Sequence, residues 1–78
     1  MLTHWTVYTR PGCSLCETLM ADLAALLGEA AAARVQVVDI TGDTELERRY
    51  SSKVPVLTAD HDFVCAYYLD RDRVAAYL

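Results

Sequence analysis

The sequence predicts an α/β domain with a four-stranded mixed sheet, helices on both faces and the element order βαβαββα. Three observations lead there. An alternating segment near the N-terminus gives way, across Arg10-Pro11-Gly12, to apolar residues at helical spacing. A Val-rich run follows a break at Gly28. Near the C-terminus two strand-like runs flank the dipeptide Asp60-His61, the layout of an antiparallel hairpin.

The first strand is read over Thr3 to Thr9, because β-branched and aromatic residues dominate it. Trp5, Val7 and Thr9 fall on one face, Thr6 and Tyr8 on the other. The first helix begins at Ser14. Its stripe is Leu15, Leu19, Leu23 and Leu26, flanked by Cys16, Met20 and Leu27. Gly28 is a C-terminal stop, and Ala30 to Ala33 either extend the helix or form its frayed end. Val35 to Ile40 reads as the second strand, and Thr41-Gly42 as a turn. Asp43 or Thr44 caps a short helix reaching about Tyr50, with Leu46 and Tyr50 one turn apart. The third strand runs from Val54 to Ala59 with Pro55 near its start, and the fourth from Asp62 to Tyr67. Asp70 caps a last helix whose Val74, Tyr77 and Leu78 are expected to point inward. The first βαβ unit should be a parallel pair with a right-handed crossover.

Residues 1–78 make one domain, and the 54% apolar content suffices for one core. The net charge of −4 is spread among interspersed acids and bases. Without a basic stripe, nucleic acid is not an expected partner. No apolar run approaches the roughly 20 residues of a membrane span, so no membrane association is expected. The start, Met1-Leu2-Thr3-His4-Trp5, has neither a basic region nor a long apolar stretch of the secretory kind. The expected location is the cytoplasm, and the expected state a monomer.

The chain has three cysteines, too few and too odd in number for a disulfide-stapled scaffold. Cys13 and Cys16 are spaced C-x-x-C, which points to redox chemistry or metal binding. Cys13 falls at the junction of loop and helix, and Cys16 on the first turn. The free N–H groups and positive dipole end of a helix favour an anion there. Thiols so placed have pKa values lowered from about 8.5 to roughly 3.5–7.5. Arg10, three residues upstream, is a candidate for added positive charge. Cys13 is therefore the expected attacking thiol and Cys16 the resolving one.

The run Val7-Tyr8-Thr9-Arg10-Pro11-Gly12-Cys13-Ser14-Leu15-Cys16 resembles the active-site segment of glutaredoxins. Those proteins also end a strand with an aromatic and a basic residue before Cys-x-x-Cys opens a helix. The resemblance implies a thioredoxin-like, glutaredoxin-type fold with the same element order. It also implies a role for Val54-Pro55: a Val-Pro whose proline bond is cis and faces the cysteines, where the residue before proline pairs its backbone with an extended thiol substrate. Carried over, Val54 aligns substrate and Pro55 shapes the groove. Apart from the resemblance, Tyr8 is a candidate to line the groove and Arg10 a candidate for substrate binding. The sequence departs from the family in two places. Ser14 and Leu15 stand between the cysteines where the family usually has Pro and an aromatic residue. Counting from Pro55, Cys65 and Ala66 occupy the usual Gly-Gly positions that dock glutathione, with Tyr67 and Tyr68 beyond. Those side chains would crowd a ligand that hugs the backbone.

The expected function is thiol–disulfide exchange without a resident cofactor, on a protein or small-molecule disulfide. The reductant would be glutathione or a thioredoxin system. The alternative is a non-catalytic binding or accessory module of the same fold. Zinc would need two further ligands beside the Cys pair, from Cys65, His4 and His61. His4 opens a strand and His61 sits at a distant turn tip, so no metal site is expected. An iron–sulfur cluster shared between two chains would require bound glutathione, against which the Gly-Gly departure speaks. Cys65 reads as a core residue alternating with Phe63 and Tyr67, or else as a third thiol near Cys13. Glu45-Leu46-Glu47-Arg48-Arg49 reads as a solvated helix face.

Overall fold

The computed structural model describes residues 2–78. Its elements are β1 (Trp5–Thr9), α1 (Ser14–Leu27), α2 (Glu29–Ala32), β2 (Gln36–Asp39), α3 (Thr44–Tyr50), β3 (Val56–Ala59), β4 (Asp62–Ala66) and α4 (Arg71–Ala75). The order matches the expectation, with one difference after the first helix. Gly28 takes a left-handed φ of 89°, and its N–H closes α1 on the Ala24 carbonyl. The alanine-rich segment then starts a separate turn, α2. A left-handed residue ends a helix because its geometry turns the chain out of the α ladder.

The sheet order is β2-β1-β3-β4. β1 pairs in parallel with β2 and antiparallel with β3, and β3 pairs antiparallel with β4. Central β1 is covered on both faces, which explains why Thr6 and Thr9 are buried along with Trp5 and Val7. On one face Leu19 and Leu23 of α1 and Val74 of α4 pack with Trp5, Val7, Leu57 and Val64. On the other, Tyr8 of β1 stacks on Tyr50 of α3, ring centroids 4.6 Å apart. The strands are shorter than the sequence patterns. Thr3, Val35 and Val54 stand outside the ladder, as does Ile40, although its N–H still bonds the Thr9 carbonyl.

The β3–β4 hairpin turns on Asp60 and His61, with φ of 51° and 73°. Both residues are left-handed, as a primed two-residue turn requires, although neither is glycine. The Asp60 carboxylate accepts the His4 N–H at 2.9 Å, and the Asp60 N–H donates to the His4 carbonyl, binding the turn to the start of β1. The His4 and His61 rings lie 6.0 Å apart at this end of the sheet, away from Cys13 and Cys16.

Two expectations about the core are corrected. Leu57 pairs with Cys65 but Thr58 pairs with Phe63, so Val64 is an extra residue bulged into β4. A bulge inverts the alternation beyond it. Val64 and Cys65 are consecutively buried, while Phe63 and Tyr67 are exposed rather than sharing a face with Cys65. Leu78, expected inside, is 69% exposed, because α4 stops at Ala75 and only Val74 is fully covered. Tyr77 is half-buried, edge-on to Trp5 at 5.7 Å.

Candidate active site

Strand directions bring three loops to one end of the sheet. β1 runs out at Thr9, and its antiparallel partner β3 begins at Val56, opposite Tyr8. The β1–α1 loop and the segment before β3 therefore share an end. β4 returns there too, with Ala66 opposite Val56. This end holds Cys13, the Val54-Pro55 pair and Tyr67.

Cys13 is the N-cap of α1. Its backbone is extended (φ −97°, ψ 103°), and left-handed Gly12 (φ 72°) turns the loop into it. The Sγ accepts the backbone N–H of Cys16 at 3.1 Å. The cap is thus sulfur in the place usually taken by a hydroxyl or carboxylate oxygen. At the head of a helix of 14 residues, that sulfur faces free N–H groups and the positive end of the dipole. Cys16 lies one turn in, buried at 2% exposure, while Cys13 is partly open to solvent. The two are joined as a disulfide with Cα atoms 5.2 Å apart. One accessible and one covered sulfur at bonding distance is the asymmetry that stepwise thiol exchange requires.

Val54-Pro55 is a cis peptide bond. Pro55 is buried and Val54 partly exposed. Among the described residues, no backbone group pairs with the N–H or C=O of Val54. Arg10 lies at the same end, but its guanidinium donates to the Ser51 carbonyl at 3.2 Å. Hydrogen bonds from Thr41 hold the Asp39 carboxyl below its usual range, with a smaller contribution from the Arg10 charge. The Arg10 charge is thus engaged with the turn after α3. Tyr8 spends its ring on Tyr50, on the α3 face of the sheet.

Tyr67 was singled out in the sequence only as a departure, and the structure gives it a specific place. It is left-handed (φ 70°), rare for a bulky residue. Its N–H donates to the Pro55 carbonyl at 2.9 Å and its hydroxyl to the Ser52 carbonyl at 2.8 Å. Of Cys65, Ala66 and Tyr67, it is Tyr67 whose backbone takes the conformation that suits glycine. Apolar patterning runs the fourth strand through Tyr67 and so gives no signal of this position.

Cys65 is buried on β4, opposite Leu57, and burial pushes its thiol pKa up. It packs in the main core with Leu19, Leu23 and Val74. Among the described residues, no group of three or more His, Cys, Asp or Glu side chains is arranged to hold a metal ion. No described helix is long and apolar enough to cross a membrane.

A family model for the glutaredoxin-like domain (DUF836) matches residues 4–78. Two solved structures are similar over nearly their whole length. A protein of Nitrosomonas europaea, determined in solution by NMR, is 38% identical with a TM-score of 0.85, covering 100% of this chain and 93% of its own. An X-ray structure of a structural-genomics target from X. campestris is 30% identical with a TM-score of 0.69, covering 94% and 92%. No curated protein matches the chain.

Proposed function

The chain belongs to the glutaredoxin-like domain family, and from that membership we propose that it is a thiol–disulfide oxidoreductase working through Cys13 and Cys16. The observation that carries the reading is the Cys13 sulfur as helix cap, within bonding reach of a covered Cys16. In the reduced protein the Cys13 thiolate attacks one sulfur of a substrate disulfide. A Cys13–substrate mixed disulfide forms, and the other substrate sulfur leaves as a thiolate that takes up a proton. Cys16 then loses its proton and attacks the Cys13 sulfur. The second substrate thiol is released and the Cys13–Cys16 disulfide forms. Two electrons pass from the dithiol to the substrate, and an external thiol reductant, glutathione or a thioredoxin system, returns them.

Substrate alignment falls to Val54, whose free N–H and C=O offer an edge to which an extended chain can add. Pro55 shapes the floor beside it. Arg10 is assigned to holding the adjoining turn rather than to direct contact with the thiolate. No resident cofactor enters the cycle, and the reducing cytoplasm is the compartment where such a dithiol recharges.

The test is turnover of a disulfide-bonded peptide and of hydroxyethyl disulfide, fed in separate reactions by glutathione with its reductase and by thioredoxin with its reductase. Cys13→Ser should abolish reduction, and Cys16→Ser should accumulate a mixed disulfide on Cys13, visible by intact mass. Retained turnover in Cys13→Ser, or a Cys13–Cys16 pair that never cycles under either reductant, would refute the function.

A further inference from the structure

Tyr67 ties down the segment that the proposed mechanism uses to align substrate. Its N–H and hydroxyl reach two carbonyls of that segment, Pro55 and Ser52, one on either side of Val54. Arg10 takes the next carbonyl upstream, that of Ser51, from the opposite loop. The Lys53 N–H closes the same turn on Tyr50 at 2.8 Å. Every backbone carbonyl from Tyr50 to Pro55 except those of Lys53 and Val54 is thus engaged, and among the described residues nothing pairs with either polar group of Val54. A segment pinned around one unpaired residue is preorganised to pair with an incoming strand, because the ordering cost is met before substrate arrives. The left-handed backbone of Tyr67 supports a functional reason for the side chain. Glycine would sit there without steric penalty but could not supply the hydroxyl.

We propose that Tyr67 is a positioning residue for polypeptide disulfides: its latch on Ser52 fixes the Val54 edge against which an extended substrate chain aligns its disulfide with Cys13. The inference rests on the oxidoreductase reading and narrows its substrate class. A polypeptide has a backbone to pair with Val54, and hydroxyethyl disulfide has none. Loosening the latch should therefore penalise the two substrates unequally.

The experiment compares wild type with Tyr67→Phe, which keeps the ring and the main-chain bond to Pro55 and removes the bond to Ser52. The KM for a disulfide-bonded peptide should rise about two- to tenfold, the loss expected for one hydrogen bond, with kcat nearly unchanged. The ratio of kcat/KM on the peptide to kcat/KM on hydroxyethyl disulfide should fall by a similar factor. Tyr67→Gly, which also removes the ring, should lower that ratio at least as far. A ratio unchanged in both variants overturns the proposal. So does a parallel loss on both substrates accompanied by a lower Tm, which would mark a residue that only supports the fold. A wild-type protein that reduces neither substrate would bring down the oxidoreductase reading and the latch with it. An active wild type with an unmoved ratio would bring down the latch alone.

Discussion

The electrostatics of the Cys13 cap can be tested apart from any substrate. In a Cys16→Ser variant the backbone N–H that reaches the Cys13 sulfur is retained, and no disulfide can form between the two positions. A hydrogen bond to a charged group contributes about 1.5–3 kcal/mol, and a helix N-terminus about 0.3–1 kcal/mol. Together they stabilise the thiolate by about 2–4 kcal/mol relative to a solvated cysteine. An ordinary thiol, with its pKa of about 8.5, is only about 0.3% ionised at pH 6. The added stabilisation raises the ionised fraction on the order of 20- to 200-fold. Nucleophilicity falls as the thiolate is stabilised, with a Brønsted slope of about 0.4–0.5, and cancels much of that gain. The net expectation is that Cys13 reacts with iodoacetamide about five- to tenfold faster in the folded protein than in denaturant at pH 6. Labelling is followed by peptide mass spectrometry, so that Cys65 is counted separately. A folded rate no greater than the denatured one would refute the cap as an activating device.

Two further outcomes concern the scaffold. Leu19, 1% exposed and packed between α1 and the sheet, should cost about 2–5 kcal/mol on replacement by Ala, read as a lowered denaturant midpoint at unchanged slope. Cys65 should make stability pH-dependent: because burial raises its folded pKa, its contribution is whole below the unfolded value of about 8.5 and is lost as pH rises beyond that. Urea unfolding of the oxidised protein between pH 8 and 9.5 should show this decline, and Cys65→Ala should flatten it.

The sequence carried the element order and the Cys13 cap because both rest on local signals. Hydrophobic period separated α1 from the strands, and the loop Arg10-Pro11-Gly12 placed Cys13 at a helix start. Asp70 caps α4 as expected, and Asp43, one of the two candidates, caps α3, each accepting the N–H three residues on. What was not legible rests on register. The extra residue at Val64 leaves no mark in the apolar pattern of β4, because Val64 and Cys65 are both plausible core residues. It nevertheless decides which residue meets Pro55, turning Tyr67 out of the ladder and into a left-handed position. Arg10 was read from its proximity in sequence to Cys13. Its partner, the Ser51 carbonyl, is 41 residues away and is set by the antiparallel pairing of β1 with β3.

The two side-chain bonds that hold the Ser51–Pro55 segment therefore come from loops that local patterning cannot connect. One is the guanidinium of Arg10 from the β1–α1 loop, the other the hydroxyl of Tyr67 from the end of β4. They differ in what they would cost to replace. Both bonds are exposed, and the Arg10 bond, at 3.2 Å, is made from an ordinary backbone conformation. The Tyr67 bond is shorter, and it requires a backbone conformation that a bulky residue resists. A residue that breaks a local conformational preference is expected where function, rather than folding, selects it. On the proposed positioning role, that asymmetry makes Tyr67, ahead of Arg10, the side chain to test for fitting the glutaredoxin-like frame to a substrate.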